Sequence, residues 1–304
     1  MADIIDGEKL AETLKKEIKF ELDSLKKSGV FPSLIALQIG DNSSSKIYLE
    51  NQRNTCESLG VNYTLLTLSQ NTTQEALEDH IRSLNSNPSI HGIIIQHPLP
   101  SHIDSIQTIQ VMDPNKDVEG LHPLNYGRLF YEEHNLAPCT ALAAERLLKF
   151  YEPDLKGKEI TIIGHSALVG KPLSMMLLSS KKNAPTVTTC HISTRNLKEH
   201  TLRSDIVFVA CGVPNLIKAD MVHKDSIIID IGINRVPKTD ANGQVILNEK
   251  GKPTKKTVGD VDYPEVSKRC KAITPVPGGV GPVTVAMLLS NTVKCARLAN
   301  KKKY

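Results

Sequence analysis

The residues of this chain best suited to chemistry lie in a short glycine turn after an apolar strand. Ile160-Thr-Ile-Ile163 runs into Gly164-His-Ser-Ala-Leu-Val-Gly170-Lys-Pro172, which reads as a strand, a small-residue turn and a helix start. Such a turn lets backbone N–H groups at the helix N-terminus approach a pyrophosphate. The spacing is not G-x-G-x-x-G, so alone it also fits an ordinary tight strand-to-helix turn. Two later segments strengthen the nucleotide reading. Ala210-Cys-Gly212-Val-Pro214 and Asp230-Ile-Gly232-Ile-Asn234 both place glycine at a strand's C-terminal end, where open α/β sheets bind ligands.

Other chemistries have little to stand on. The six cysteines (Cys56, Cys139, Cys190, Cys211, Cys270, Cys295) are scattered without a C-x-x-C pair, which argues against a structural zinc site or a disulfide framework. The ten histidines are dispersed and lack H-E-x-x-H spacing, so no metal is expected. Aromatics make up 4% and tryptophan is absent, a poor basis for stacking single-stranded nucleic acid. The net charge of +4 is mild, and part of it sits in Lys301, Lys302 and Lys303, read as a solvated end. That balance suits an anionic small substrate. The acidic opening Met1-Ala-Asp-Ile-Ile-Asp-Gly7 is unlike a signal or transit peptide. No apolar run approaches the ~20 residues that span a bilayer, so a cytoplasmic location without membrane or nucleic-acid partners is expected.

The elements that must position these residues follow a βα rhythm. Leu10, Leu14, Ile18, Leu22 and Leu25 recur at helical spacing and predict a helix over 8–28. A strand over 33–39 ends at the turn Gly40-Asp-Asn42, and a helix over 45–59 is closed by Gly60. Strands 61–68 and 92–96 flank a helix over 73–85. The Pro-, Asn-, His- and Gly-rich stretch 98–138 reads as ordered loops, followed by a helix over 141–150 and a domain joint at Glu152-Pro-Asp154. Beyond it come strand 159–163, helix 170–179, strand 186–191, helix 196–202 and strands 206–210 and 226–231. A polar hairpin-like insert over 236–257 carries the turn signals Ala241-Asn-Gly243 and Lys250-Gly-Lys252. A last helix spans 284–298. The fold class is α/β, with parallel sheets covered on both faces.

With these elements in place, the motifs resemble the methylenetetrahydrofolate dehydrogenase/cyclohydrolase family along nearly the whole chain. Gly-x-Ser-x-x-Val-Gly-x-Pro over 164–172 is similar to that family's cofactor turn. Ser45-x-x-Tyr48, Gln96-x-Pro98-Leu-Pro100, Lys116-Asp-Val-Glu-Gly120, Pro138-Cys-Thr140, Gly259-Asp-Val-Asp262 and Ile273-Thr-Pro-Val-Pro-Gly-Gly-Val-Gly-Pro282 follow in the family's order. The resemblance implies two α/β domains with a cleft between them. Residues 1–150, completed by the C-terminal helix over 283–304, would form the folate-binding catalytic domain, and 151–282 a Rossmann-like nicotinamide-cofactor domain. It further implies Tyr48, Gln52, Gln96 and Glu119 at the catalytic positions, with folate held by Tyr48, Gln96, Pro98, Leu99, Glu119, Pro277, Gly278 and Gly279. NADP or NAD would lie along Gly164, His165, Ser166, Val169, Gly170, Ile192, Arg195, Cys211, Gly212, Ile233 and Thr284. A homodimer through the cofactor domain is a further family expectation.

Four positions depart from the family pattern. Gln52 stands where the family has the lysine that serves as general acid/base, four residues after the tyrosine. Cyclohydrolysis must take a proton from the attacking water and give one to a departing nitrogen, and an amide does neither. Such groups supply ~10²–10⁴-fold in rate, whereas hydride transfer moves no proton at the reacting carbon. Glu119 replaces an aspartate and keeps a carboxylate for the donor edge of a pterin. His165 and Ile192 replace the arginine and serine that serve the extra phosphate of NADP. No Asp or Glu follows the strand at 186–191 to bind the ribose of NAD, and Arg195 or Lys171 could meet a phosphate instead. Cofactor preference therefore stays open, leaning to NAD. The alternative reading is a degenerate paralogue that binds folate or dinucleotide without turnover and acts as a regulatory or partner protein.

Overall fold

The computed structural model describes all residues except 42–45, 133–135, 180–181, 241–243 and 302–304. Ser45, Asn42 of the Gly40 turn, the Ala241-Asn-Gly243 turn, Lys302 and Lys303 thus lie outside the described residues. The chain forms two compact units. One comprises Ala11–Leu142 with Thr284–Tyr304, the other Met1–Leu10 with Ala143–Val283. The opening strand β1 (Asp3–Ile4) belongs to the second of these, whereas the sequence placed it in the first domain. The unit boundary also falls inside the helix α6 (Cys139–Tyr151), upstream of the expected joint.

The first unit is built on a three-stranded parallel sheet. After α1 (Gly7–Lys27) comes β2 (Ser33–Ile39), with six of its seven residues buried, as its central position requires. The helix α2 (Lys46–Leu59) leads to β3 (Asn62–Leu68), and α3 (Gln74–Ser86) to β4 (Gly92–Ile95). The sheet order is β3-β2-β4, with Leu34 opposite both Tyr63 and Gly92. Alternate residues Ile35, Leu37, Ile39, Ile93 and Ile95 face Leu77 and Ile81 of α3. The ladder carries on one residue past β4, where the Gln96 amide donates to the Leu37 carbonyl at 2.8 Å. Stretch 98–138 is more helical than expected. It contains α4 (Ser105–Val111), capped by Asp104, and α5 (Pro123–Phe130), capped by the His122 ring with proline in its first turn.

The second unit holds a six-stranded, all-parallel sheet. Its elements are β5 (Glu159–Ile163), α7 (Gly170–Leu178), β6 (Thr186–Cys190), α8 (Leu197–Arg203), β7 (Ile206–Val209), the 3-10 turn Ala219–Met221 and β8 (Ile227–Asp230). There follow β9 (Asn234–Pro237), β10 (Lys255–Val258), α9 (Tyr263–Val266), β11 (Ala272–Ile273) and the start of α10 (Val280–Lys301). The order β1-β11-β8-β7-β5-β6 puts β6 on one side of β5 and β7 on the other. The connection reverses there, which marks a topological switch point at the C-terminal ends of β5 and β7. Ile163, Val207, Val209, Ile228 and Ile273 anchor one core cluster of this unit. The polar insert is the antiparallel pair β9–β10, with Lys255 opposite Pro237.

Candidate active site

In the first unit, α2 stacks Tyr48, Gln52 and Cys56 on one face at successive turns. Gln52 is fully buried. Its Oε1 accepts from the Tyr63 hydroxyl at 3.5 Å and from Gln96 Nε2 at 3.4 Å, both long contacts. Gln52 Nε2 meets no acceptor in hydrogen-bonding geometry, although it is sealed from solvent. A buried amide donor in that state costs about 1–3 kcal/mol, and the site keeps it. Tyr48 lies beside the same amide. The tyrosine as a whole is 37% exposed, yet its hydroxyl end is sunk in protein. Burial first, and the negative charge of Glu119 second, suppress its ionisation strongly, with the Gln52 amide opposing them.

Glu119 takes its place through the rigid build of the loop around it. Lys116 Nζ donates to the carbonyls of Leu84, Asn85 and Asn87 at 3.0, 2.7 and 2.7 Å, closing the C-terminus of α3. Asp117 accepts from the His122 amide at 2.7 Å and from Asn125 Nδ2 at 2.9 Å. Gly120 follows at φ +68°, where a Cβ would lie 2.5 Å from the Ala137 carbonyl carbon. Asn291 of α10, fully buried, donates to the carbonyls of Val118 and Ala137. Between these fixed neighbours Glu119 is raised to about 8 by burial, then by the charge of Asp117. The shift favours the protonated form of Glu119 in the free site more than an ordinary carboxyl group would.

Tyr48, Gln52, Gln96 and Glu119 thus come together within one unit, Gln52 bonding to Gln96 and the charge of Glu119 reaching Tyr48. Pro98 is exposed, while Leu99 packs partly against the Leu77–Ile93 core. Pro277, Gly278 and Gly279 belong to the second unit, where the Gly7 amide donates to the Gly278 carbonyl at 3.0 Å. Tyr63, Asp117 and Asn291 escaped the sequence reading. Only the alternation of β3 could have pointed to Tyr63.

In the second unit, the sequence-predicted cofactor residues gather at the C-terminal ends of adjacent parallel strands. Gly164 leaves β5 at φ +116°, and a Cβ there would lie 2.3 Å from the Ala210 carbonyl oxygen after β7. Only glycine allows this approach at the switch point. His165 and Ser166 are exposed, and Val169 precedes Gly170 without any side-chain cap on α7. The N-terminus of α7 stands at this turn, with the Lys171 amide bonded to the Ser166 carbonyl at 3.1 Å and Pro172 bringing no N–H. The ring of His165 stacks on His191, which follows β6, with centroids 4.9 Å apart. Ile192 is fully exposed and Arg195 is exposed in the same turn. Cys211 and Gly212 follow β7, and Ile233, 66% exposed, follows β8. Thr284 alone falls in the first unit, at the start of α10. The geometry of this edge fits a dinucleotide.

Comparison with known proteins also gives two domains, with bounds that differ from the structural units at residues 5–10 and in α10. The catalytic domain of the tetrahydrofolate dehydrogenase/cyclohydrolase family matches residues 5–119, and that family's NAD(P)-binding domain matches residues 138–300. The chain belongs to the tetrahydrofolate dehydrogenase/cyclohydrolase family. It is 45% identical over 294 residues to a bifunctional protein FolD of Nautilia profundicola, covering 97% of each chain. The crystal structure of the bifunctional FolD enzyme of Campylobacter jejuni superposes with a TM-score of 0.88 at 41% identity, covering 98% of this chain and 99% of that one. The Trypanosoma brucei dehydrogenase-cyclohydrolase, solved with NADP and an inhibitor, gives 0.88 at 32% identity, covering 99% of each. The family therefore assigns the residues around Gln52 to its catalytic domain and the β5–α7 edge to its NAD(P)-binding domain. Among the described residues, no group of three or more His, Cys, Asp or Glu could hold a metal ion, and no helix is long and apolar enough to cross a membrane.

Proposed function

We propose that this enzyme oxidises 5,10-methylenetetrahydrofolate to the 5,10-methenyl form with NAD(P) and hydrolyses that product poorly. NAD(P), when bound, accepts the hydride from the methylene carbon. The chain's own residues hold and orient the folate: Tyr48 by ring contact, Gln96 and Gln52 through a shared amide pair, Glu119 through its carboxyl group. None of these tasks needs a side chain that exchanges protons quickly.

The observation that carries the second half is the state of Gln52. Its oxygen is occupied by Tyr63 and Gln96, and its nitrogen, buried beside Tyr48, meets no acceptor in hydrogen-bonding geometry. An amide so placed can hold a substrate acceptor but cannot take a proton from water and return it to a leaving nitrogen. The test is a pair of assays on wild type and Gln52→Lys. We expect wild type to reduce NAD or NADP with methylenetetrahydrofolate while hydrolysing methenyl-folate slowly. The lysine variant should gain hydrolysis by ~10²-fold or more with little change in dehydrogenation. A wild type that hydrolyses as fast as it oxidises, with Gln52→Lys unchanged, would overturn the reading. A protein that binds folate and dinucleotide but turns over neither reaction would be the degenerate paralogue instead.

The same reading places the enzyme in the cytoplasm as a homodimer. Support for the dimer comes from β6, an edge strand of the six-stranded sheet with a partly exposed face. Sedimentation of the native protein checks it.

A further inference from the structure

Two buried carboxylates of the second unit remain unassigned. Asp230 ends β8 and is 2% exposed. Its Oδ1 accepts from the amides of Gly232 and Asp260, and its Oδ2 from that of Val261, each at 3.0 Å. Asp230 thus folds the 259–261 segment against the end of β8. Asp260, fully buried, reaches the other way. Its Oδ2 accepts from the amides of Cys211 at 2.6 Å and Gly212 at 2.9 Å, and its Oδ1 from Asn234 Nδ2 at 2.8 Å. The packing leaves no slack, because a Cβ on Gly232 would lie 2.2 Å from the Asp260 carboxyl carbon, and one on Gly259 1.8 Å from Asp230 Oδ2.

One carboxylate therefore ties the turn after β7 to the turn after β8. Those turns expose Gly212, Val213 and Ile233 at the C-terminal edge of the sheet. With a pyrophosphate at the β5–α7 turn and the adenosine end over β6, the nicotinamide end of a dinucleotide falls over β7 and β8. We propose that Asp260 is a positioning residue for the cofactor, setting the spacing of the Gly212 and Ile233 turns so that the nicotinamide half meets a preformed surface. This inference rests on the NAD(P) reading above and gives that site a device for its rigidity. A preset surface spares the ordering of two loops on binding.

Polarity makes the test specific. In Asp260→Asn the amide keeps one acceptor for Cys211 and Gly212 but turns a donor toward the donor of Asn234. In Asn234→Asp two carboxylates face each other. The double variant Asp260→Asn/Asn234→Asp restores a donor–acceptor pair with its sense reversed. We expect each single variant to raise the Kd and KM of NAD and NADP about tenfold or more, with the folate KM little changed, and the double variant to recover most of the loss. Single variants that bind cofactor like wild type would overturn the proposal, as would a double variant no better than either single. If Asp260→Asn fails to fold, Asn234→Ala cuts the same tie from its half-buried end, and an unchanged cofactor Kd there is equally decisive. A wild type that binds neither dinucleotide overturns the NAD(P) reading and this inference with it, whereas wild-type binding with unaffected variants removes this inference alone.

Discussion

Asn291 of α10 donates its side-chain amide to the carbonyl of Val118 at 2.9 Å, one residue before Glu119. The same nitrogen reaches the Ala137 carbonyl at 3.0 Å, so one C-terminal residue holds both sides of the loop that presents Glu119. Asn291→Ala should cost about 1–3 kcal/mol, because buried carbonyls lose their donor. It should raise the KM for folate more than that for the cofactor. Urea unfolding with parallel kinetics checks this. A stability change below about 0.5 kcal/mol, within the range of ordinary surface substitutions, would mean that the loop holds itself.

Glu119 makes a prediction in pH. Its acid is raised from 4.5 to about 8 in the folded protein by burial and by Asp117. The folded state therefore binds this proton more tightly than the unfolded chain. The stability it confers is fully present below about 4.5 and is lost as pH rises through about 8. Glu119→Gln should flatten that decline, gaining on the order of 2 kcal/mol over wild type at pH 9 and almost nothing at pH 5. Urea midpoints at both pH values measure it. If the carboxylate pairs with the donor edge of a pterin, folate binding near pH 7 must also release a proton. Calorimetry in two buffers of different ionisation enthalpy reads that release, which should vanish in the Gln variant.

Cofactor choice turns on His165 and Ile192. The first is stacked on His191 and the second is bare to solvent, so neither offers an arginine's bidentate grip on a phosphate. NADP should show less than about a tenfold advantage over NAD, and His165→Arg/Ile192→Ser should raise NADP affinity while leaving NAD unchanged. Fluorescence titration of both reduced cofactors tests this. A wild-type preference for NADP of a hundredfold, about 2.7 kcal/mol, would show that Arg195 or another base holds the phosphate.

Much of the scaffold was legible because it is local. Strands 33–39 and 159–163 are short, mostly apolar runs, and their ends follow from glycine turns. Helices α4 and α5 were missed although Asp104 and the His122-Pro123 pair announce them, because eight residues or fewer give too little periodicity against a Pro-rich background. Strands β1 and β11 have two residues each and exist only through pairing with distant chain. The motifs singled out Tyr48, Gln52 and Gln96, whose side chains the fold brings together. The work of Lys116, Asp260 and Asn291 was hidden, since each acts on backbone groups 29 to 173 residues away.

Tyr48 separates binding from stability. The residue is more than a third exposed while its hydroxyl lies inward, beside Gln52. Tyr48→Ala should weaken a folate analogue at least several-fold through lost ring contact, with cofactor affinity unchanged. Calorimetry that finds the analogue bound equally well would remove Tyr48 from the folate site.

The pairing of Asp3 with Ala272 and the grip of Asn291 on Val118 have a consequence for biosynthesis. Each unit is completed by a segment from the opposite end of the chain, so neither can close while most of the polypeptide is still on the ribosome. The early βα repeats emerge with Val118 and Ala137 unanchored, and the later sheet gains its edge strand only when β11 recruits residues made first. Final assembly of the two units thus waits until β11 and α10 have been made, at the high contact order that slows folding.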